Sequence, residues 1–304
     1  MQLKVQDIRK SFGSREILHG ISFTVESGRA MGFLGRNGAG KSTTIRCLMD
    51  VFKQDSGRFL LDGEPFDVNR YRVGYLPEER GMYGKIKVLD QLVYFARLRG
   101  ANKASALASA KEWINYFGLN DYMISPLEQL SKGNQQKIQI AQAFVNDPDI
   151  LILDEPFSGL DPVNAGVFKK AVQQFVKKGK LVIFSSHQMG YVEEICDDVT
   201  IINGGEILLT GDLGAIRRER GENKYLLKVA KEHQQAAMDA FQQAFPASVL
   251  TEHEKGLIID SRGSAGQKEM LLFLAEQPWP VERFGLYEPD LNDIFVSLTG
   301  GEKA

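Results

Sequence analysis

The sequence predicts an α/β fold: a parallel-sheet domain with β-rich and helical subdomains, followed by a small α+β domain. Three observations carry that expectation. The apolar runs "DILILDE" and "LVIFSS" are each followed by helical patterning, the alternation of a parallel sheet. "GRNGAGKST" (35–43) sets a glycine-rich turn between the apolar stretch "AMGFLG" and a helical stretch. After the charged segment "RRERGENK" the rhythm becomes strand, helix, two strands, helix, strand and a last helix, which is ferredoxin-like.

At 304 residues the chain has length for roughly two domains, each able to bury a core. The boundary is expected near residue 220, giving domains 1–220 and 221–304. In the first, "LKVQDIRKSF", "ILHGISFTV" and "AMGFLG" read as short strands, then "GRNGAGKSTTIRCLMDVF" as turn and helix. "GRFLLDG" and "RVGYLPE" are strand-like. From about residue 86 to 146 a helical subdomain is expected, with "VLDQLVYFARLRG", "SALASAKEWINYFG" and the helix after Ser131. "DVTIINGGEILLTG" predicts a hairpin with a glycine turn. In the second domain "KYLLKVA", two strands around Lys255 and Gly256, and "VERFGLY" are strands. "EHQQAAMDAFQQAF" and "QKEMLLFLAEQ" are helices, and "LNDIFVSLTG" closes as a helix ending in glycine.

Composition narrows the function. Hydrophobic residues make up 43% and charged residues 25%, as in soluble globular proteins. A formal net charge of -2 argues against nucleic acid as the main partner, because a broad phosphate footprint needs a basic excess. Only two cysteines occur, Cys47 and Cys196, without metal-ligand spacing, so packing roles and a reducing cytosolic setting are expected. "MQLKVQDIRK" has no apolar core of a signal peptide, and no apolar run approaches the ~20 residues of a spanning helix. Any membrane crossing is therefore expected in another chain.

The chemistry concentrates at a few stretches. "GRNGAGKST" fits G-x-x-x-x-G-K-[ST], a P-loop. Gly35, Gly38 and Gly40 let backbone N–H groups crowd around phosphate without Cβ clashes. Lys41 is expected to reach the β- and γ-phosphates, Ser42 to offer its hydroxyl to Mg²⁺, and the following helix to aim its positive end at the same anion. "ILILDEP" (150–156) is an apolar strand ending in two carboxylates. Asp154 suits a metal shell, and Glu155 suits polarising an attacking water. "LSKGNQQK" (130–137) starts a helix, yet puts Lys132 where the macrodipole is already positive.

In motif order, over roughly residues 2–215, the chain resembles the ATP-binding subunit of an ABC transporter. The resemblance implies a P-loop NTPase cassette using ATP and Mg²⁺. Its nucleotide loop would be Gly35, Arg36, Asn37, Gly38, Ala39, Gly40, Lys41, Ser42 and Thr43, with Phe12 stacking on adenine. "LSKGN" takes the place of the family signature "LSGGQ", and "SGLD" (158–161) resembles the D-loop of the dimer seam. Ser131 and Gly133 would then meet the γ-phosphate held by an opposite subunit, and His187 in "FSSHQM" would sense the γ-phosphate of its own. Such subunits pair, here as a homodimer in the first instance, and drive a membrane-spanning permease from the cytoplasmic face of the membrane.

Two departures stand out. The glutamine expected after "YLP" is Glu78, which keeps an oxygen for Mg²⁺ but adds charge and loses the amide donor. Lys132 and Asn134 replace glycine and glutamine in the signature. The tail "YEPDLNDIFVSLTG" resembles ATPase subunits of ABC-2 type bacterial exporters, including drug and sodium efflux relatives. A soluble ABC-type ATPase acting on ribosomes or DNA is the alternative, but such proteins carry two fused cassettes or a long coiled-coil insertion. A P-loop kinase or GTPase would lack the signature, D-loop and switch histidine.

Overall fold

A computed structural model of the chain describes residues 1–79 and 81–299. The glycine stop expected at Gly300, and the end of the 221–304 domain beyond Thr299, lie outside the described residues. The chain forms two compact units, the first being Met1–Leu213 and the second starting at Gly214.

In the first unit, β1 (Gln2–Phe12) and β2 (Arg15–Glu26) form an antiparallel hairpin. They are two long strands with register shifts rather than short strands separated by turns, and Asp7 lies at φ 47 within β1. β3 (Ala30–Leu34) runs through the glycine turn into α1 (Lys41–Leu48), and β4 (Ser56–Leu61), β5 (Glu64–Pro65) and β6 (Val73–Leu76) follow. Then come α2 (Val88–Leu98), α3 (Lys103–Tyr116) and α4 (Lys132–Phe144). β7 (Ile150–Asp154), α5 (Pro162–Lys177), β8 (Leu181–Ser186) and α6 (Met189–Ile195) alternate as expected, and β9 (Asp198–Asn203) pairs with β10 (Glu206–Asp212).

These strands make two sheets. One is antiparallel, in the order β2-β1-β4-β5. The other has the order β10-β9-β3-β8-β7-β6, parallel from β9 to β6. Every residue of β3, β7 and β8 is buried, which is why these strands read as unbroken apolar runs instead of alternating ones. Phe23, Val5, Phe33, Ile152 and Ile183 belong to one core that joins residues of both sheets. An aromatic cluster links helices: Trp113 of α3 and Phe175 of α5 lie 4.7 and 4.8 Å from Phe144 of α4, centroid to centroid. Each such buried ring contributes roughly 1.5–3 kcal/mol through area removed from water.

The second unit starts one residue into α7 (Leu213–Arg220), and includes β11 (Lys224–Val229), α8 (Gln234–Ala244), β12 (Val249–His253) and β13 (Gly256–Asp260). α9 (Gln267–Ala275), β14 (Val281–Leu286) and α10 (Leu291–Leu298) complete it. Its sheet is antiparallel in the order β12-β13-β11-β14, the ferredoxin-like order, over a core of Leu227, Phe241, Leu257, Ile259 and Met270. The division falls after Leu213 rather than near residue 220 because α7 is tied to this unit. Arg217 Nε donates to Pro289 O at 3.0 Å and Arg220 to Ser297 Oγ at 3.3 Å.

One glycine shows how closely the helical subdomain sits on the sheet. A Cβ on Gly74 of β6 would lie 2.0 Å from the Ala143 carbonyl oxygen of α4 and 2.9 Å from Pro148. Gly74→Ala is therefore expected to destabilise the protein by about 1–3 kcal/mol, as overpacking does. The reading is a lower urea midpoint at unchanged slope; an unmoved midpoint would show that β6 and α4 have room to part.

Candidate functional site

Parallel pairing brings the carboxy ends of β3, β8, β7 and β6 to one edge of the sheet, where open α/β sheets place their ligands. β3 delivers the glycine loop, β7 delivers Asp154 and Glu155, β8 delivers His187, and β6 delivers Glu78. A cleft of about 320 Å³ opens there. Phe12, Arg36, Asn37, Gly38, Gly40, Lys41, Ser42, Thr43, Glu78 and Glu155 line it. Gly35 and Ala39 belong to the same loop behind that lining, Asp154 is fully buried, and Ser131, Gly133 and His187 are not lining residues.

The loop glycines differ in what they supply. Gly40 begins α1 at φ 113 and Gly38 lies at φ 80, left-handed conformations that side chains resist. Gly35 is required by packing: a Cβ there would meet Ile202 O of β9 at 2.4 Å. Sequence alone made all three serve the approach to phosphate.

Lys41 is 5% exposed, and its Nζ donates to Gly35 O at 2.7 Å and Arg36 O at 3.3 Å. The same ammonium lies 3.3 Å from Glu155 Oε1, while His187 Nδ1 is 2.9 Å from Glu155 Oε2. Glu155 itself stands at φ 50, an uncommon conformation for a residue with a side chain. Its N–H donates to Ser185 Oγ at 3.0 Å, and that hydroxyl donates to Asp154 Oδ1 at 2.5 Å. Asp154 Oδ2 is buried without a hydrogen-bond partner among the described residues. Burial pushes the Asp154 carboxyl above the usual range; the Ser185 and Ser42 hydroxyls oppose that, and the charges of Glu78 and Glu155 add to it. Ser42 Oγ donates to Glu78 Oε2 at 3.3 Å.

Phe12 stands at the cleft mouth, half exposed, edge-on to Phe52 at 5.2 Å and under Lys10 Nζ at 5.4 Å. Arg15, paired with Phe12 across the hairpin, and Ile17 also line the cleft. Sequence reasoning missed both, since nothing local marks a strand residue as cleft-facing. It also missed Ser185, whose signal was its place at the end of an apolar strand beside His187.

The "LSKGN" stretch lies elsewhere. Ser131 caps α4 by accepting the Asn134 N–H at 3.3 Å, and the first turn holds no acid. A Cβ on Gly133 would have Asn164 Nδ2 as nearest neighbour at 4.0 Å. Gln136 of α4 donates to Ser158 O, so the start of α4 and the "SGLD" stretch share one surface of the chain.

Comparison with known proteins agrees with this geometry. The family model described as ABC transporter matches residues 18–158. The uncharacterized ABC transporter ATP-binding protein YhaQ of Bacillus subtilis (strain 168) is 36% identical over 299 residues, 98% of this chain and 98% of its own length. The Nod factor export ATP-binding protein I of Burkholderia lata is 33% identical over 210 residues, covering 68% of this chain and 69% of that protein. A solved structure of the ATP-binding subunit of an ABC transporter superposes with a TM-score of 0.67 at 28% identity, covering 73% of this chain and 94% of that one. With the P-loop, paired carboxylates and histidine on one sheet edge, the chain belongs to the ATP-binding subunits of ABC transporters, ATPases by family activity.

Proposed function

We propose that the chain is the motor of an ABC exporter, pairing head to tail with a second copy around two ATP molecules and driving a separate membrane permease. The observation that carries the pairing is the separation within one chain. Lys41 and Glu155 line the cleft and His187 is held to Glu155, whereas Ser131 and Gly133 do not line it and Ser131 caps its own helix. A second copy supplies them. The Ser131 hydroxyl, which accepts from Asn134 N–H, retains its own proton to donate to a phosphate.

In this reading Lys41 and the loop N–H groups hold the phosphates, Phe12 stacks on adenine, Glu155 is the general base and His187 contacts the γ-phosphate. Ser42 and Glu78 stand together and Asp154 keeps a buried oxygen without a hydrogen-bond partner among the described residues, a small all-oxygen set that would hold Mg²⁺. Bound there, Mg²⁺ would neutralise phosphate charge. Positioning and charge compensation account for most of the catalysis.

The permease is assigned to the exposed apolar side chains Tyr83, Ile86, Tyr94 and Leu98 on α2 and the segment before it, flanked by cavities along that helix. Among the described residues no helix is long and apolar enough to cross a membrane, so the crossing is assigned to the partner. Work at the cytoplasmic face is part of the same proposal, supported by relatives that are ATP-binding proteins of ABC transporters. Export over import is supported by the "YEPDLNDIFVSLTG" tail and by a relative named for Nod factor export. Co-purification from membranes with a multi-spanning protein tests the partner; consistent recovery with ribosomes or DNA instead would overturn it.

Glu155→Gln is expected to keep ATP binding while slowing steady-state hydrolysis by at least ~100-fold, the low end of what a general base supplies. Wild-type turnover would remove Glu155 from that role. Pairing is tested by mixing two inactive proteins, Lys41→Ala and Gly133→Asp. A mixed dimer collects both lesions in one site and leaves the other intact, so ATPase activity should return. Confirmed mixed dimers without activity, alongside a control showing that a single intact site suffices, would place the signature in cis.

A further inference from the structure

Outside the residues given roles above, one buried side chain, that of Ser185, meets both the Asp154 carboxylate and the backbone N–H of Glu155. Ser185 is 0% exposed and lies at the carboxy end of β8, where the parallel register sets it opposite Asp154 of β7. A serine hydroxyl has one proton to give and two lone pairs. Here the proton goes to Asp154 Oδ1 at 2.5 Å, and a lone pair receives the Glu155 N–H at 3.0 Å. Both contacts bridge two strands through one atom. The second contact satisfies an N–H just beyond the last ladder pair, where Glu155 turns into φ 50.

We propose that Ser185 is a positioning residue for ATP hydrolysis, orienting Asp154 toward the cation and fixing the turn that presents Glu155. Holding Oδ1 on the β8 side leaves Oδ2, buried without a hydrogen-bond partner among the described residues, as the one directed to the metal. Accepting the Glu155 N–H stabilises the left-handed turn, and with it the placing of the carboxylate between Lys41 and His187. The idea rests on the roles given to Asp154 and Glu155 above. A merely structural hydroxyl would satisfy the same buried groups, so the test needs a reading that folding alone does not move.

Ser185→Thr and Ser185→Val have nearly the same shape and the same added methyl, and differ in the hydroxyl; Ser185→Ala removes the hydroxyl without adding volume. Each full-length protein would be titrated with Mn²⁺ in the presence of a non-hydrolysable ATP analogue, with free Mn²⁺ read by electron paramagnetic resonance. kcat, ATP KM and thermal unfolding would be measured in parallel. Threonine is expected to keep kcat and Mn²⁺ affinity within about threefold of wild type. Valine and alanine are expected to lose roughly 10–100-fold in Mn²⁺ affinity and in kcat, the range for groups that orient metal ligands, with KM for ATP little changed. Equal Mn²⁺ affinity in threonine and valine proteins, or wild-type affinity in the alanine protein, overturns the proposal. Glu155→Gln separates the two levels: if it abolishes turnover while the valine and threonine proteins match, the positioning idea alone fails. If Glu155→Gln turns over normally, the reading of the site fails with it.

Discussion

The parallel register of β3, β8, β7 and β6 is the constraint on which the rest of the site depends. It pairs Leu34 with Ser186, Asp154 with Ser185 and Leu76 with Leu153, so that loops from four strands emerge together. A slip of one residue would exchange the faces of a strand and move Asp154 off Ser185. Apolar burial on both faces of the central strands makes that slip expensive, because their flanking layers are matched to one register. The hydrophobic layers thus hold a polar edge in place without contributing chemistry to it.

Charge at that edge is concentrated and only partly offset by a buried lysine. Asp154, Glu155 and Glu78 bring negative charge, and Lys41 is the buried cation against Glu155. Lys41 also caps the loop carbonyls of Gly35 and Arg36, so one ammonium organises the loop and the carboxylate together. Farther along the sheet, Arg29 ties β9 and β10 to the start of β3, donating to Asp198 at 2.6 and 2.7 Å and to Asp212 at 2.7 Å. That network fixes the strand beside which the glycine loop is packed, since Gly35 lies against Ile202 of β9.

The start of α4 shows how a local mismatch is accommodated. Lys132 adds positive charge at the positive end of a helix, a matter of a few tenths of a kcal/mol. Ser131 satisfies the Asn134 N–H, and Lys132 remains exposed to solvent, which screens it. The helix is then held by burial of Ile138, Ile140, Ala141 and Phe144 rather than by its first turn. In the pairing proposed above, this exposed, cationic helix start with no acid in its first turn would receive an anion held by a second copy.

Sequence by itself determined what depends on neighbours in the chain. The glycine loop into α1, the apolar strands ending in Asp154 and in the Ser185–Ser186 pair, and the βαββαβ order of the second unit are all local periodicities or backbone requirements. Tertiary structure decided what depends on residues far apart. Ser185 meets Asp154 across a separation of 31 residues, Gly35 is needed because β9 passes behind it, and Arg15 and Ile17 face the cleft because β2 folds back beside the loop. The unit boundary moved to Leu213 because Arg217 and Arg220 found partners in the second unit. Short-range propensity reaches only a turn or a strand, whereas these contacts exist only after the sheet has chosen its register.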